Sequence, residues 1–338
     1  MKKIPAEKAV GMSLCHDITQ MKDGFKGPAF KRGHVITESD IPLLLDLGKR
    51  SVFVWEENSG EIHEEDAALR MAAMCPVENG RYSGPSEGKM LLFAEERGMF
   101  RVDTDLLREI NSIGDITICT IPDHYPVNKG DRLASMRIVP LVTEEKQIER
   151  AEVLCKERPL LSLLPYKYRK IGVIITGSEV YSGRIKDKFE PVVREKMKNY
   201  PCEIAGIKIC DDDISMIEDA AKDLLSRGAD FLIFTGGMSV DPDDLTPAAI
   251  KNLGAEIISY GVPSQPGNMT LIAYLGDTCI LGVPGAAISL PTTMFDVVLP
   301  QVFTGLKFTK KDLINLGDGG LCQLCGDCHY PNCTFGRY

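Results

Sequence analysis

Apolar runs of strand length recur through the second half of the chain, and each gives way abruptly to glycine or carboxylate. IGVII (171–175) passes into TGSEV, IKIC (207–210) into DDD, FLIF (231–234) into TGGMSVDPDD, and CILGV (279–283) into PGAA. Runs this short, rich in Ile, Val and Phe and bounded by Gly, Pro or Asp, predict buried strands. Helical spacing appears between them. Ile214, Ile217, Ala221, Leu224 and Leu225 share one face, while Asp219, Lys222 and Asp223 lie largely on another, with Glu218 at the border and Gly228 as the stop. Strand alternating with helix predicts an α/β domain over 166–308.

The first half reads as two smaller α+β modules, 1–58 and 59–165. In the first, Thr37 stands three residues before Asp40 in a capping-box pattern. A leucine-rich helix then runs to Gly48, and SVFVW (51–55) predicts a strand. In the second, EDAALRMAAMC, DTDLLREINSIG and EKQIERAEVLCKE predict helices. KMLLFA and MFRVD flank Glu95–Gly98 as a hairpin, and DITICTI and RLASMRIVPLV predict strands, the latter interrupted near Pro140. RPLLSLLPYKY reads as a proline-bounded linker.

A length of 338 residues suits two or three domains. The net charge of −9 comes without a long basic run, which disfavours nucleic acid and anionic membrane surfaces as partners. No apolar run is long enough to span a bilayer. The N-terminus has no continuous apolar segment of the signal-peptide kind, so a cytoplasmic location is expected. Seven of the eleven cysteines are scattered singly and read as small buried hydrophobes in a reducing compartment.

In an open parallel sheet the carboxyl ends of the strands share one rim, where ligands bind. Thr176, Gly177, Glu179, Asp211, Gly236, Gly237, Ser239, Asp244 and Gly285 should therefore converge. Free backbone N–H groups suit a phosphate, and carboxylates suit a divalent cation. The residues predict a phosphorylated ligand handled with Mg²⁺. Asp241, Asp243 and Asp244 crowd one loop, where one of them could instead cap the helix opened by Thr246-Pro247. SQPGNM (264–269) and GVPGAA (282–287) read either as plain turns or as further rim loops.

TGSEVYSGRIKDKF, CDDD, TGGMSVDPDD, PGN and VPG, in that order, resemble the motifs of the molybdopterin-binding domain shared by molybdenum-cofactor biosynthesis enzymes. The match covers 168–304, and 1–155 more loosely resembles the N-terminal parts of the molybdopterin molybdotransferase branch. The resemblance implies a three-layer α/β/α fold for 166–308. It also implies Glu179, Asp211 and Asp244 as the acidic groups handling molybdate or Mg²⁺. Thr176, Gly177, Gly236, Gly237 and Ser239 would line the pterin-phosphate or nucleotide pocket, joined by Ser178, Asp187, Thr235, Met238, Pro266, Gly267, Asn268, Pro284 and Gly285. The implied ligands are molybdopterin or its adenylate, with molybdate, in a protein expected to form a homo-oligomer. Ala286 and Ala287 follow Gly285 where the branch continues Asn-Pro. Its MDGYA-like N-terminal loop is not recognisable, and too little chain follows Gly305 for its C-terminal β domain. Two alternatives stay open: a carrier that hands finished cofactor to a molybdoenzyme client, and a Mg²⁺-dependent nucleotide pyrophosphatase.

The short tail, 309–338, carries Cys322, Cys325, Cys328 and Cys333 in C-x₂-C-x₂-C-x₄-C spacing. Four thiols this close predict a metal site, either an iron–sulfur cluster or Zn²⁺, with His329 able to replace one thiol. With little apolar content of its own, the tail is expected to draw most of its order from the metal.

Overall fold

The structure is a computed structural model, and it describes residues 1–22, 25–54, 60–239, 241, 242 and 244–337. The chain divides into two compact units. One comprises 1–95, 102–121 and 129–162, and the other comprises 96–101, 122–128 and 163–338. Two short segments of the N-terminal half thus belong to the C-terminal unit.

The C-terminal unit is built on a six-stranded sheet. Its order is Cys202–Cys210, Arg169–Thr176, Phe231–Thr235, Thr278–Val283, Leu271–Leu275, Glu256–Tyr260. The first four strands run parallel. The Leu271–Leu275 strand is antiparallel to both its neighbours, which returns Glu256–Tyr260 to the common direction. Side chains alternate across this sheet because successive residues of a strand point to opposite faces. Ile171, Val173, Ile175, Phe231, Ile233 and Leu281 enter one core. They meet Val193 and Met197 of helix Phe189–Met197 and Phe295, Val298, Val302 and Phe303 of helix Met294–Thr304. Ile174, Leu232, Phe234, Ala273 and Ile280 enter the other. There they pack on Ile217, Ala221 and Leu224 of helix Ile214–Ser226, and on Ala249 and Ile250 of helix Thr246–Asn252. Two apolar faces demand two helical layers, and the result is the three-layer α/β/α domain. Leu225 and Ile214, read as core-facing, are only partly buried at the edge of the second core.

The N-terminal unit contains the expected helices Glu64–Met74, Thr104–Asn111 and Glu145–Glu157. Asp103 caps the second, accepting from the Leu106 N–H at 2.9 Å. The Thr37–Asp40 capping box forms, with the Thr37 N–H donating to Asp40 Oδ2 at 2.8 Å. Ser51–Val54 is a strand paired with Lys2–Pro5, while Trp55 of the expected strand lies outside the described residues.

Two local expectations fail. Lys89–Ala94 and Gly98–Val102 do not form a hairpin. The first pairs with Gly80–Ser86 and Arg132–Ile138, and the second pairs with Tyr125–Val127. Both edges of Lys89–Ala94 are thereby taken, which leaves none for Gly98–Val102. Leu161–Pro165, read as linker, is a strand. Among the described residues, no helix is long and apolar enough to cross a membrane. Of the scattered cysteines, Cys15, Cys75, Cys210 and Cys279 are buried, whereas Cys119 is exposed. Burial pushes the Cys279 thiol up to about 12, which keeps it protonated and inert.

Candidate functional site

Each parallel strand of the C-terminal unit ends on the same rim, at Thr176, Cys210, Thr235 and Val283. The loop after Tyr260 opens on that rim too, because Leu271 at its far end pairs with Gly282. All five quoted motifs therefore meet along one edge, and hydrogen bonds tie neighbouring loops together.

At the centre, Thr176 Oγ1 lies 3.1 Å from Thr246 Oγ1 and 3.4 Å from the Thr235 carbonyl oxygen, and Thr246 donates to the Gly236 carbonyl at 3.0 Å. Thr176, Thr235 and Thr246 are all buried. Thr176 and Thr235, expected to line the pocket, instead sit beneath it. Thr176 binds the TG and GG loops to each other, and Thr235 Oγ1 has no hydrogen-bond partner among the described residues.

Gly236 and Gly237 both have positive φ, +83° and +53°. No hydrogen bond from either N–H group is found among the described residues, so both remain available to an acceptor at the rim. Met238, expected at the ligand, is a core residue packed on Gly282. Ser239 is exposed at the loop's crest. Tyr260 clamps this loop from the far strand, its hydroxyl donating to the Ser239 carbonyl at 2.8 Å and to that of Met238 at 3.2 Å. Burial, and then the Asp244 carboxylate, hold the Tyr260 phenol above its ordinary range, so it stays a donor. Nothing in the Glu256–Tyr260 sequence marked Tyr260 for this role. Asp244 is half-buried and accepts from the Asp241 N–H at 2.9 Å, while Asp243 is outside the described residues.

The TG loop differs from expectation. Gly177 donates its N–H to the Cys210 carbonyl at 3.3 Å, and Ser178 donates to Asp212 Oδ2 at 2.8 Å. Those two amides are therefore engaged within the protein. Asp212, passed over in favour of Asp211, joins the acidic turn to the TG loop. Asp211 accepts from the Asp212 N–H at 2.9 Å and is half-buried at the rim. Asp213 caps helix Ile214–Ser226 through the Met216 N–H at 2.8 Å. Glu179 is exposed on the short turn Ser178–Tyr181. Asp187 accepts from the N–H groups of Phe189 and Glu190 at 2.9 and 2.7 Å, which makes it the start signal of the next helix.

The two Pro-Gly loops divide. In the first, the Pro266 carbonyl accepts from the Met294 N–H at 3.0 Å and Gly267 is buried against Met294. Both secure the start of helix Met294–Thr304, and Asn268 is left exposed. In the second, Gly285 is exposed and Pro284 half-buried ahead of the turn Ala286–Ser289. The residues the rim presents are thus Gly236, Gly237, Ser239, Asn268 and Gly285, with Glu179, Asp211 and Asp244 as its carboxylates.

Among the described residues, no group of three or more His, Cys, Asp or Glu is placed to hold a metal ion. Mg²⁺ is commonly held by one or two carboxylates together with substrate phosphates. The rim carboxylates suit it in that shared form, as partners of a phosphorylated ligand and not as a cage of their own.

The tail is ordered by contacts the sequence reading did not foresee. Tyr330 and Phe335 meet edge to face at 6.5 Å, with Phe335 buried, and the Tyr330 hydroxyl donates to the Asp296 carbonyl at 3.2 Å. Arg337 lies over the rings of Tyr125 and Tyr330. The Tyr330 hydrogen bond and the buried Phe335 hold the segment to the domain.

Residues 172–304 match the family described as "Probable molybdopterin binding domain". Residues 3–56 match a family described as a domain of unknown function (DUF8806). Over 175 residues the chain is 29% identical to a molybdopterin molybdenumtransferase of Synechococcus elongatus, covering 49% of this chain and 40% of that protein. Over 90 residues it is 34% identical to a CinA-like protein of a Mycobacterium species (strain JLS), covering 26% of this chain and 21% of that protein. The chain thus spans less than half the length of these relatives. Among solved structures, the tungsten cofactor synthesizing protein MoaB from Pyrococcus furiosus aligns with a TM-score of 0.37 at 24% identity. That alignment covers 43% of this chain and 98% of the other.

Proposed function

We infer, from the match of residues 172–304 to the molybdopterin-binding family, that the rim binds molybdopterin or its adenylate and transfers molybdate onto it. The observation that carries this reading is the pair of Gly236 and Gly237 amides, unengaged among the described residues and on the same strand-end rim as Glu179, Asp211 and Asp244. The amides would receive a phosphate oxygen. Thr176 and Thr246 hold the two loops in register, and Tyr260 fixes the crest, so little ordering remains to be done on binding. The carboxylates orient the ligand's charged end. Mg²⁺, when bound with the phosphates, neutralises their charge.

The similarity to a CinA-like protein supports one competing reading, hydrolysis of a nucleotide pyrophosphate at the same rim. A turnover assay separates the two. Adenylated molybdopterin with molybdate and Mg²⁺ is expected to give molybdenum-loaded pterin, the dithiolene thiols displacing a molybdate oxygen as water and hydrolysis of the pyrophosphate bond releasing AMP, and ADP-ribose is expected to stay intact. Release of AMP from ADP-ribose, without molybdenum loading, would overturn the transferase reading in favour of the pyrophosphatase.

A further inference from the structure

We propose that Cys322, Cys325, Cys328 and Cys333 ligate an iron–sulfur cluster, docked beside the first Pro-Gly loop of the rim. All four cysteines line one cavity of about 140 Å³, walled on the domain side by Leu290 and Thr292. Thiolates select zinc or iron–sulfur centres over harder cations, so the choice lies between those two. The geometry distinguishes them. A structural Zn²⁺ holds four sulfurs at about 2.3 Å, which draws them within about 4 Å of one another and leaves no space between them. Here the four cysteines line a cavity of about 140 Å³, which leaves room between them. A four-thiolate site built around a volume fits a cluster that brings its own iron and sulfide.

The surroundings fit the same group. Thr292 Oγ1 lies 3.1 Å from Cys328 Sγ, and the Leu324 N–H donates to Cys322 Sγ at 3.5 Å. Hydrogen bonds to ligand sulfurs tune the reduction potential of such clusters. The site is carried on the domain by main-chain bonds, with Gln265 N–H to the Gly320 carbonyl and Cys322 N–H to the Gln265 carbonyl, both at 2.8 Å. Gln265 immediately precedes Pro266, so the cluster's first ligand is anchored to a rim loop. The inference stands on the cysteines alone and does not require the rim to bind pterin.

Anaerobic purification of the full chain, with iron and sulfide supplied, tests it by metal and sulfide analysis, absorption and electron paramagnetic resonance, with no pterin present. The expected result is iron and acid-labile sulfide in about 4:4 ratio per chain, with broad absorption near roughly 400 nm. Cys325→Ser and Cys328→Ser should each lose most of that iron and colour. Their far-UV circular dichroism should stay that of the parent, because Tyr330 and Phe335 anchor the tail. Should either serine variant fail to fold, Thr292→Val keeps every thiol, and its cluster should show a lower midpoint potential than the parent's. Stoichiometric zinc without sulfide, neither metal, or iron that survives both serine substitutions would each overturn the assignment.

Discussion

Glu179→Gln and Asp244→Asn should each reduce molybdate transfer by about 100-fold or more while leaving the fold in place. The size follows from removing a preorganised charge at a reacting centre, which typically costs about 10²–10³ in rate. The fold should survive for local reasons. Glu179 is exposed on a single helical turn. Asp244 accepts one hydrogen bond from the Asp241 N–H, and the amide oxygen of asparagine can accept the same bond. Unfolding free energies within about 0.5 kcal/mol of the parent are expected for both, as for substitutions away from the core. The measurement is turnover at saturating molybdate beside a denaturant curve. A variant with parental turnover would remove that carboxylate from the chemistry. Asp213→Asn offers a contrast, since Asp213 caps a helix and should leave turnover unchanged.

The largest expected stability effect comes from Gly236→Ala. A Cβ at this position would stand 2.1 Å from the Thr176 carbonyl oxygen and 2.8 Å from Thr176 Oγ1, and the φ of +83° is strained for any side chain. Positive φ alone costs of order 1–3 kcal/mol, and forcing two backbones apart adds about as much. A loss of about 3 kcal/mol is expected, read as a fall in melting temperature of roughly 10 °C for a unit of this size. Gly183→Ala isolates the backbone component. Its φ is +73°, but no atom lies within 4 Å of the added carbon, so it should cost only about 1 kcal/mol. Equal effects at the two positions would mean that the TG and GG loops are not in the close contact described.

The α/β domain was legible because its strands are continuous apolar runs that end in glycine or aspartate, a local signal. Ile171 to Ile175 reads as a buried strand without any partner in view. The rim was legible for the same reason, since strand direction alone places the following loops together. What the sequence concealed depends on distant partners. Met238 sits in a glycine-rich loop like a ligand contact, and only Gly282 on a neighbouring strand makes it a core residue. Thr176 looked accessible at its strand end, yet it is buried against Thr246. Asp211, Asp212 and Asp213 are indistinguishable in the string DDD. The structure separates them into a rim carboxylate, a loop tie and a helix cap. Gly98–Val102 looked like half of a hairpin because its loop to the preceding strand is short, yet its partners are Tyr125–Val127 and Leu161–Pro165. Tyr330 and Phe335 are isolated in a polar tail and become anchors only against the helix they reach.

Titration calorimetry of the full chain with molybdopterin adenylate, with and without Mg²⁺, tests the central claim most directly. Saturable one-site binding that tightens when Mg²⁺ is added, and whose Mg²⁺ dependence is lost in Asp244→Asn, is the predicted result. No binding of molybdopterin, of its adenylate or of common nucleotides, with Mg²⁺ present, would contradict it.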